Sequence, residues 1–226
     1  MASEISVLIQ GPLNPISINH IPYYRTIGPV VLSCWNTDDI TPYSKILTEN
    51  DVHVSINPRP ADNPYRQETA YLQIMSVYYG LKNVDTPFVI RTRSDERWGN
   101  LGPLIAKKNS NKIVCGNIFF REWDVMNRHP GDHIFLGRTD WLLSSYCLLA
   151  KQTDAFKDIF CLEQALAEAV MTVDKAVDRS KAEFLRRFDL QNINELAPFI
   201  AQYRHAEVVY ENVFNDHGAI KSIEEL

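Results

Sequence analysis

The chain has 226 residues, 45% of them hydrophobic and 23% charged, with a formal net charge of −5. This composition is that of a globular protein with a sizeable core, and the lack of any Lys/Arg block excludes nucleic-acid binders. The four cysteines form no C-x-x-C pair, and no apolar run approaches the roughly 20 residues that cross a bilayer. We therefore expect a cytoplasmic protein without a transmembrane segment, whose association with a membrane, if there is one, is peripheral.

Three short β-rich runs open the chain and predict strands at residues 5–9, 30–33 and 52–56. The first run stops at Gly11 and Pro12, and the third stops at the segment NPRP, both of which are strong turn signals. Short strands separated by turns or helical stretches predict a mixed α/β sheet.

The segment NPYRQ predicts the start of a helix. Asn63 can cap this helix and Pro64 suits its first position, and apolar residues then repeat at helical spacing from Tyr71 onward. Arg66 and Gln67 fall in the first turn. They are interpreted either as part of a solvated turn or as an anion-binding site, where an arginine lies beside free backbone N–H groups.

The rest of the chain predicts further strands followed by helices. Strands are expected at 88–90, 112–118 and 133–136, and amphipathic helices at 154–172, 174–188 and 193–204. The C-terminal third is therefore expected to be mostly helical. No linker, repeat or low-complexity segment interrupts the chain, so we predict one domain.

The segment RTRSDE at residues 91–96 follows an apolar strand and combines arginines with carboxylates. Ligands of open α/β sheets bind outside the carboxyl ends of the strands. Asp95 and Glu96 could hold a divalent cation with substrate phosphates, and Arg91 or Arg93 could bind phosphate or pair with a carboxylate. The alternative is a charged surface turn whose ion pairs contribute little to stability.

Polar residues also surround the Pro-Gly turn of RHPGDH at residues 128–133. His129 and Asp132 could supply a metal ligand, a general base or hydrogen bonds to a substrate. The alternative is that the aspartate organises the turn and the histidines are merely exposed.

Two turns near the N-terminus are candidates for nucleotide contact. The segment IQGPLNP is neither G-x-G-x-x-G nor a P-loop, which argues against a dinucleotide dehydrogenase and an ordinary kinase. It also lacks the glycine-rich start expected of sugar-nucleotide pyrophosphorylases. In CWNTDD, Asp38 and Asp39 could contact a ribose or base, or could cap the following helix.

In their order and spacing, these stretches resemble the WavE-type lipopolysaccharide-synthesis proteins, which are regarded as glycosyltransferase-like proteins of the GT-A type. The resemblance spans residues 5–142 and is carried by ISVLIQGPL, VVLSCW, N-x-x-R-Q, R-T-R-S-D, and H-x-x-D before an apolar strand and a glycine. It implies a single α/β domain with a GT-A-like, Rossmann-like mixed sheet flanked by helices. The nucleotide-sugar-binding core would cover residues 1–150, and a mostly helical part would cover 151–226.

The resemblance also implies a donor site. The turn of Gln10, Gly11 and Pro12 would line the nucleotide pocket, and Asp39 or Asp38 would approach the base or ribose. The resemblance implies that Arg66 faces the diphosphate or the sugar. Arg93, which could bind phosphate, is a further candidate for contact with the donor.

For the chemistry, the resemblance implies that Asp95 holds Mn²⁺ or Mg²⁺ where the family type carries a D-x-D, with help from Glu96 or His129. Here the first aspartate of that motif is replaced by Arg93 or Ser94, depending on register. Asp132 would be the base or the acceptor-binding carboxylate.

The implied function is transfer of a sugar from a nucleotide-diphosphate donor, expected to be a UDP-sugar, to a glycan or lipid-linked acceptor. Inverting and retaining transfer both remain open. The alternative is a catalytically degenerate GT-A-like module that binds a nucleotide or sugar.

Overall fold

The computed structural model describes residues 3–65, 69–117, 123, 128–156, 159 and 161–200. In chain order, the strands of this part are β1 Ile5–Gln10, β2 Val30–Trp35, β3 His53–Asn57, β4 Phe88–Arg93, β5 Glu96–Trp98, β6 Ile113–Gly116, β7 Ile134–Arg138, β8 Phe188–Gln191 and β9 Pro198–Ile200. Within the described residues, seven strands form one sheet in the order β3-β2-β1-β4-β7-β6-β8, and β5 pairs with β9.

The helices of the described residues are α1 Pro15–Ile18, α2 Ile21–Arg25, α3 Ser44–Glu49, α4 Ala70–Leu81, α5 Gly102–Ala106, α6 Thr139–Lys151, α7 Thr153–Phe156, α8 Leu162–Val173 and α9 Lys181–Arg187. Short 3-10 turns lie at Thr41–Tyr43, Lys108–Ser110 and Ile193–Leu196. No helix in this part of the chain combines the length and apolarity that crossing a membrane requires.

The large sheet is mixed, as predicted. Strands β1, β2, β3 and β4 pair in parallel, β7 runs antiparallel to both β4 and β6, and β8 pairs in parallel with β6. Parallel strands need both faces covered, and successive side chains of a strand point to opposite faces. Leu8 accordingly joins one hydrophobic cluster, whereas its neighbours Val7 and Ile9 join the other.

One face of the sheet is covered by α4, α6 and α8, and the other by α2 and α5. Each fully buried Leu, Ile or Val contributes roughly 1.5–3 kcal/mol through removal of apolar surface from water. Helix α4 lies close to the sheet at Gly80, where a Cβ atom would lie 2.4 Å from Leu8 Cδ1. The glycine late in the helix is therefore required by packing, and α4 continues through it.

The predicted strands are confirmed, with β4 running three residues further than expected, so that Arg91, Thr92 and Arg93 belong to the strand and not to a turn. The predicted helix start at Asn63 is wrong, because α4 begins at Ala70. The Asn63 side chain instead accepts a hydrogen bond from the Tyr65 backbone at 3.1 Å.

The helices predicted in the C-terminal third differ from the structure in their bounds and, for one of them, in its type. In place of the predicted helix at 174–188, α9 covers Lys181–Arg187 and the chain then enters β8 at the sheet edge. The predicted helix at 193–204 is wrong in its described part, because a 3-10 turn ends at Leu196 and β9 pairs with β5. In place of one helix at 154–172, the described residues form α7 and α8.

Candidate functional site

A pocket of about 610 Å³ lies at the carboxyl ends of β1 and β4. These two parallel strands pair in register, so Gln10 and Arg93 lie side by side at the sheet edge. The pocket is lined by the turn after β1 (Gln10 to Asn14), the end of β4 (Arg93 to Asp95), the first turn of α4 (Thr69, Leu72 and Gln73), and Trp35 and Arg59. Ligands of open α/β sheets bind at this edge.

The turn at Gly11 fixes the floor of the pocket. Its φ of +117° lies in a region that side chains with a Cβ rarely adopt, and a Cβ there would lie 2.8 Å from Ser94 Oγ. The Ser94 backbone N–H donates to the Gln10 carbonyl at 2.9 Å, and the Gly11 N–H donates to the Ser33 carbonyl. The β1 turn and the β4 end are thereby held against each other.

Arg93 and Asp95 form a bidentate ion pair at the pocket wall. Arg93 Nε donates to Asp95 Oδ1 at 3.0 Å, and Nη2 donates to Oδ2 at 2.9 Å. Burial acts to raise the pKa of Asp95, but the hydrogen bonds and charge of Arg93 prevail and hold it below its usual value. Both groups are therefore charged at neutral pH.

Glu96 binds the same arginine from the buried side. Its side chain is fully buried, Arg93 Nε lies 3.3 Å from Oε1, and the His133 ring Nδ1 lies 2.5 Å from the same oxygen. Burial lowers the pKa of His133, whereas the charge and hydrogen bond of Glu96 raise it, and the net direction is upward. The pair Glu96–His133 thus supports Arg93 from below.

Asp132 lies in a buried cluster of cations. Burial acts to raise its pKa, but the charges of His133, Arg91 and Arg93 lower it below the usual value. Arg91 is fully buried over the Phe135 ring at 5.3 Å, and none of its guanidinium nitrogens has a hydrogen-bond partner in the described residues. Asp132 supplies the counter-charge for this side of the sheet edge.

Glu163, in the first turn of α8, was not singled out by the sequence. Burial, and next the charge of Asp132, raise its pKa to about 7. Its Oε2 lies 3.7 Å from His129 Nε2, and His129, Cys161 and Glu163 each place a ligand-type atom within 4.8 Å of the others. An acidic residue in a first helical turn is ordinary, so the sequence offered no signal for this environment.

Some of the residues predicted to bind the donor line the pocket, and others do not. Gln10, Gly11, Pro12 and Arg93 line the same pocket. Asp39 is exposed, is not among the lining residues, and accepts a hydrogen bond from the Thr41 backbone at 2.9 Å.

Arg66, predicted to face a diphosphate, lies outside the described residues. Sequence reasoning missed Arg59 as a lining residue; it lies just after the end of β3, which is the signal that could have identified it.

The residues predicted to hold a divalent cation do not converge on one point. Both carboxylate oxygens of Asp95 accept from Arg93, and Glu96 is turned into the buried side away from the pocket. His129 groups with Cys161 and Glu163, which form the one set of three ligand-type side chains found in the described part of the chain. As arranged, these residues do not offer a cation the set of oxygens that Mn²⁺ or Mg²⁺ requires.

Comparison with solved structures shows the fold. Glucosyl-3-phosphoglycerate synthase from Mycobacterium tuberculosis, in complex with Mn²⁺, UDP and glucosyl-3-phosphoglycerate, aligns over 84% of this chain and 70% of its own, with a TM-score of 0.52 and 11% identity. The same enzyme with Mn²⁺, UDP and phosphoglyceric acid gives a TM-score of 0.51 at 11% identity, over 84% of this chain and 69% of its own. An inositol-1-phosphate CTP transferase from T. maritima aligns over 95% of this chain and 96% of its own, with a TM-score of 0.53 and 11% identity.

No family model matches the sequence, and no curated protein matches it. The structural likenesses confirm the GT-A-type, Rossmann-like α/β fold that the sequence predicts. At 11% identity they show the fold alone, and the specific resemblance to WavE-type proteins is not confirmed.

Proposed function

We propose that this chain transfers a sugar from a nucleotide-diphosphate donor to a hydroxyl group of an acceptor. The observation that carries the proposal is the pocket between the β1 turn and the end of β4, which presents Arg93 at the ligand-binding edge of the sheet. Support comes from the fold, because a synthase of similar fold contains UDP and a glucosyl product. As acceptor we propose a glycan or a lipid-linked acceptor, which is what the resemblance to WavE-type proteins implies.

A nucleotidyltransferase also shares the fold, so the choice between the two reactions rests on the pocket itself. The turn after β1 contains a single glycine, Gly11, followed by Pro12 and Leu13. It lacks the glycine-rich start expected of sugar-nucleotide pyrophosphorylases, which bind a nucleoside triphosphate. We therefore favour a diphosphate sugar as donor, with a UDP-sugar as the first candidate.

Arg93 and Arg59 line the pocket and are suited to the negative charge of a leaving diphosphate. Arg66 remains proposed for the same role. Asp95 fixes the orientation of Arg93 through its two hydrogen bonds. In this role Asp95 acts on the arginine and not on the donor.

For inverting transfer, a carboxylate must take the proton of the acceptor hydroxyl. Asp132 was predicted for this role, but its lowered pKa makes it a weak proton acceptor. Glu163 is not among the described residues that line the donor pocket, but its Oε2 lies 3.7 Å from His129 Nε2, and its pKa of about 7 suits a base for an acceptor bound on the His129 side. We assign the base to Glu163, and to Asp132 the negative charge that helps to raise the pKa of Glu163.

In the proposed step, one bond forms and one bond breaks at the anomeric carbon of the donor sugar. The acceptor oxygen forms a bond to the anomeric carbon while Glu163 receives its proton. The bond between that carbon and the diphosphate oxygen breaks, and the electron pair leaves with the nucleoside diphosphate. Arg93 holds the charge that develops on the leaving oxygen.

A divalent cation was predicted at Asp95, Glu96 and His129, and two structures of similar fold contain Mn²⁺ together with UDP. The proposed transfer includes no cation, because the contacts of these three residues do not form a ligand set.

A cytoplasmic location is also a proposal. So is the division of the chain into a core over 1–150 and a C-terminal part over 151–226.

The test is a screen of sugar nucleotides for hydrolysis and transfer. Wild-type protein should release the diphosphate from one donor, and Glu163→Gln should lower the rate by about 10²–10⁴-fold, the usual contribution of a general base. Below pH 7 the wild-type kcat/KM should fall about tenfold per pH unit as Glu163 is protonated, and the variant should lack this limb.

Glu168→Gln is the matched control, because Glu168 lies in the same helix and pairs with Arg128 and Arg179 instead of facing His129. It should retain the wild-type rate and pH profile. Nucleotide binding without turnover of any donor would instead favour the degenerate binding module. Failure of every nucleotide to bind would contradict both functions.

A further inference from the structure

Among the residues that the structure describes, the charged ones that line the pocket are two arginines, Arg59 and Arg93, and one aspartate, Asp95. Arginine cannot be deprotonated in proteins, and the pKa of Asp95 is held low, so all three carry full charges at neutral pH. The lining is therefore net positive. Such a pocket attracts a diphosphate and repels a divalent cation.

The carboxylate best placed to hold a cation, that of Asp95, already accepts two hydrogen bonds from an arginine. Each oxygen of Asp95 accepts one hydrogen bond from Arg93, at 3.0 and 2.9 Å, in the fork geometry that gives the strongest pairs. A metal ion at either oxygen would have to share it with an arginine N–H and would lie beside the full positive charge of the guanidinium.

Arg93 is also held from a second side. Glu96, fully buried and bound to His133, lies 3.3 Å from Arg93 Nε. Two carboxylates therefore fix the Nε and Nη2 edge of the guanidinium. Within the described residues Nη1 makes no hydrogen bond, and the Arg93 side chain is 22% exposed at the pocket wall.

We propose that Arg93, fixed by Asp95 and Glu96, supplies the positive charge against the donor diphosphate, and that this site binds its donor without a divalent cation. The inference rests on the proposed function for the identity of the ligand as a nucleoside diphosphate. It goes beyond that function because it assigns the charge that neutralises the diphosphate to a protein side chain instead of a metal ion.

An arginine is suited to this role for two reasons. Its planar fork presents donors that match phosphate oxygens bidentately, and its charge is permanent. Because the guanidinium is already oriented by two carboxylates, little reorganisation accompanies the departure of the diphosphate.

The test is calorimetry with metal-free protein and a panel of UDP, CDP, GDP and ADP, each with excess EDTA or with Mn²⁺. For the diphosphate that binds, we expect the same Kd in both conditions. Arg93→Ala should weaken binding about 30-fold in both, from the loss of charge-assisted hydrogen bonds, and Arg93→Lys should recover only part of it.

Asp95→Asn is the discriminating variant, because asparagine keeps the shape and one acceptor but cannot hold a cation strongly. The proposal predicts unchanged or tighter binding of the diphosphate in EDTA. Arg138→Ala is the matched control, since Arg138 forms the same bidentate pair with Asp140 in a separate cleft, and its removal should leave the Kd unchanged.

Binding that requires Mn²⁺ and is lost in Asp95→Asn, with Arg93→Ala binding normally in Mn²⁺, would overturn the cation assignment and leave the proposed function standing. Failure of all four diphosphates to bind in either condition would overturn the proposed function and this inference together. Thermal unfolding of each variant shows whether a loss of binding reflects a loss of fold.

Discussion

Two Arg-x-Asp pairs in this chain have the same spacing and the same fork geometry but different surroundings. In Arg93–Asp95 the two hydrogen bonds measure 3.0 and 2.9 Å, and in Arg138–Asp140 they measure 3.1 and 2.6 Å. Their side chains are 22% and 28% exposed in the first pair, and 53% and 66% exposed in the second. Pair geometry alone therefore does not distinguish a binding site from a surface turn.

The sheet accounts for the difference. Arg138 pairs in register with Phe88 at the start of β4, whereas Arg93 lies five residues further along, about 17 Å away at the carboxyl end of the strand. Among the described residues, only the first pair has a second, buried carboxylate beneath it, Glu96, which is held by His133. Exposed pairs contribute little to stability, whereas breaking a buried pair leaves an uncompensated charge.

The largest expected effect comes from removing each arginine in turn. Arg93→Ala should lower the free energy of unfolding by about 3 kcal/mol, because it removes the arginine partner of the buried Glu96 and leaves only His133 beside this carboxylate in the described residues. Arg138→Ala should leave stability unchanged within error. Urea unfolding of the two variants measures both, and equal effects would show that the surroundings of the pairs do not matter.

A smaller effect is expected at the turn that supports only the first pair. Gly11→Ala places a Cβ 2.8 Å from Ser94 Oγ at a φ of +117°, so it should cost about 1–2 kcal/mol and shift Ser94 and its neighbour Asp95. Gly102→Ala is the control, since its Cβ would meet only the Asn100 side chain, at 3.2 Å. Thermal unfolding and diphosphate affinity should change in the first variant and not in the second.

The smallest effect is a change in the pH dependence of stability. His133 has a folded-state pKa above its usual 6.5, so its contribution is fully present below pH 6.5 and is lost as pH rises through the folded value. His133→Asn should therefore lose stability relative to wild type at pH 6 and approach it at higher pH. A constant difference between the two proteins across this range would contradict the raised pKa.

The sequence predicted six of the seven described strands of the large sheet, because apolar runs between turn signals are typical of buried strands. It failed where tertiary contacts decide the structure. Segment 193–204 has a helical pattern, yet Pro198 begins a strand that pairs with β5. The short strand β8 contains Asp189 and Gln191, and its identity comes from pairing with β6.

The candidate site could be predicted in part. Gln10, Gly11 and Arg93 follow from their place at strand ends, where topology brings them together. The pairing of Arg93 with Asp95 was one of two alternatives that the residues left open. The elevated pKa of Glu163 depends on burial and on Asp132, neither of which can be read from the segment around it.

The most direct test is a crystal structure of the protein grown with UDP, or the diphosphate that binds best, and soaked in Mn²⁺ for anomalous diffraction. We predict a diphosphate in the pocket within hydrogen-bonding distance of Arg93, with Asp95 still bound to the arginine and no manganese peak beside it. A manganese peak between Asp95 and the phosphates, with Arg93 displaced, would contradict the account, as would a diphosphate bound at any other place.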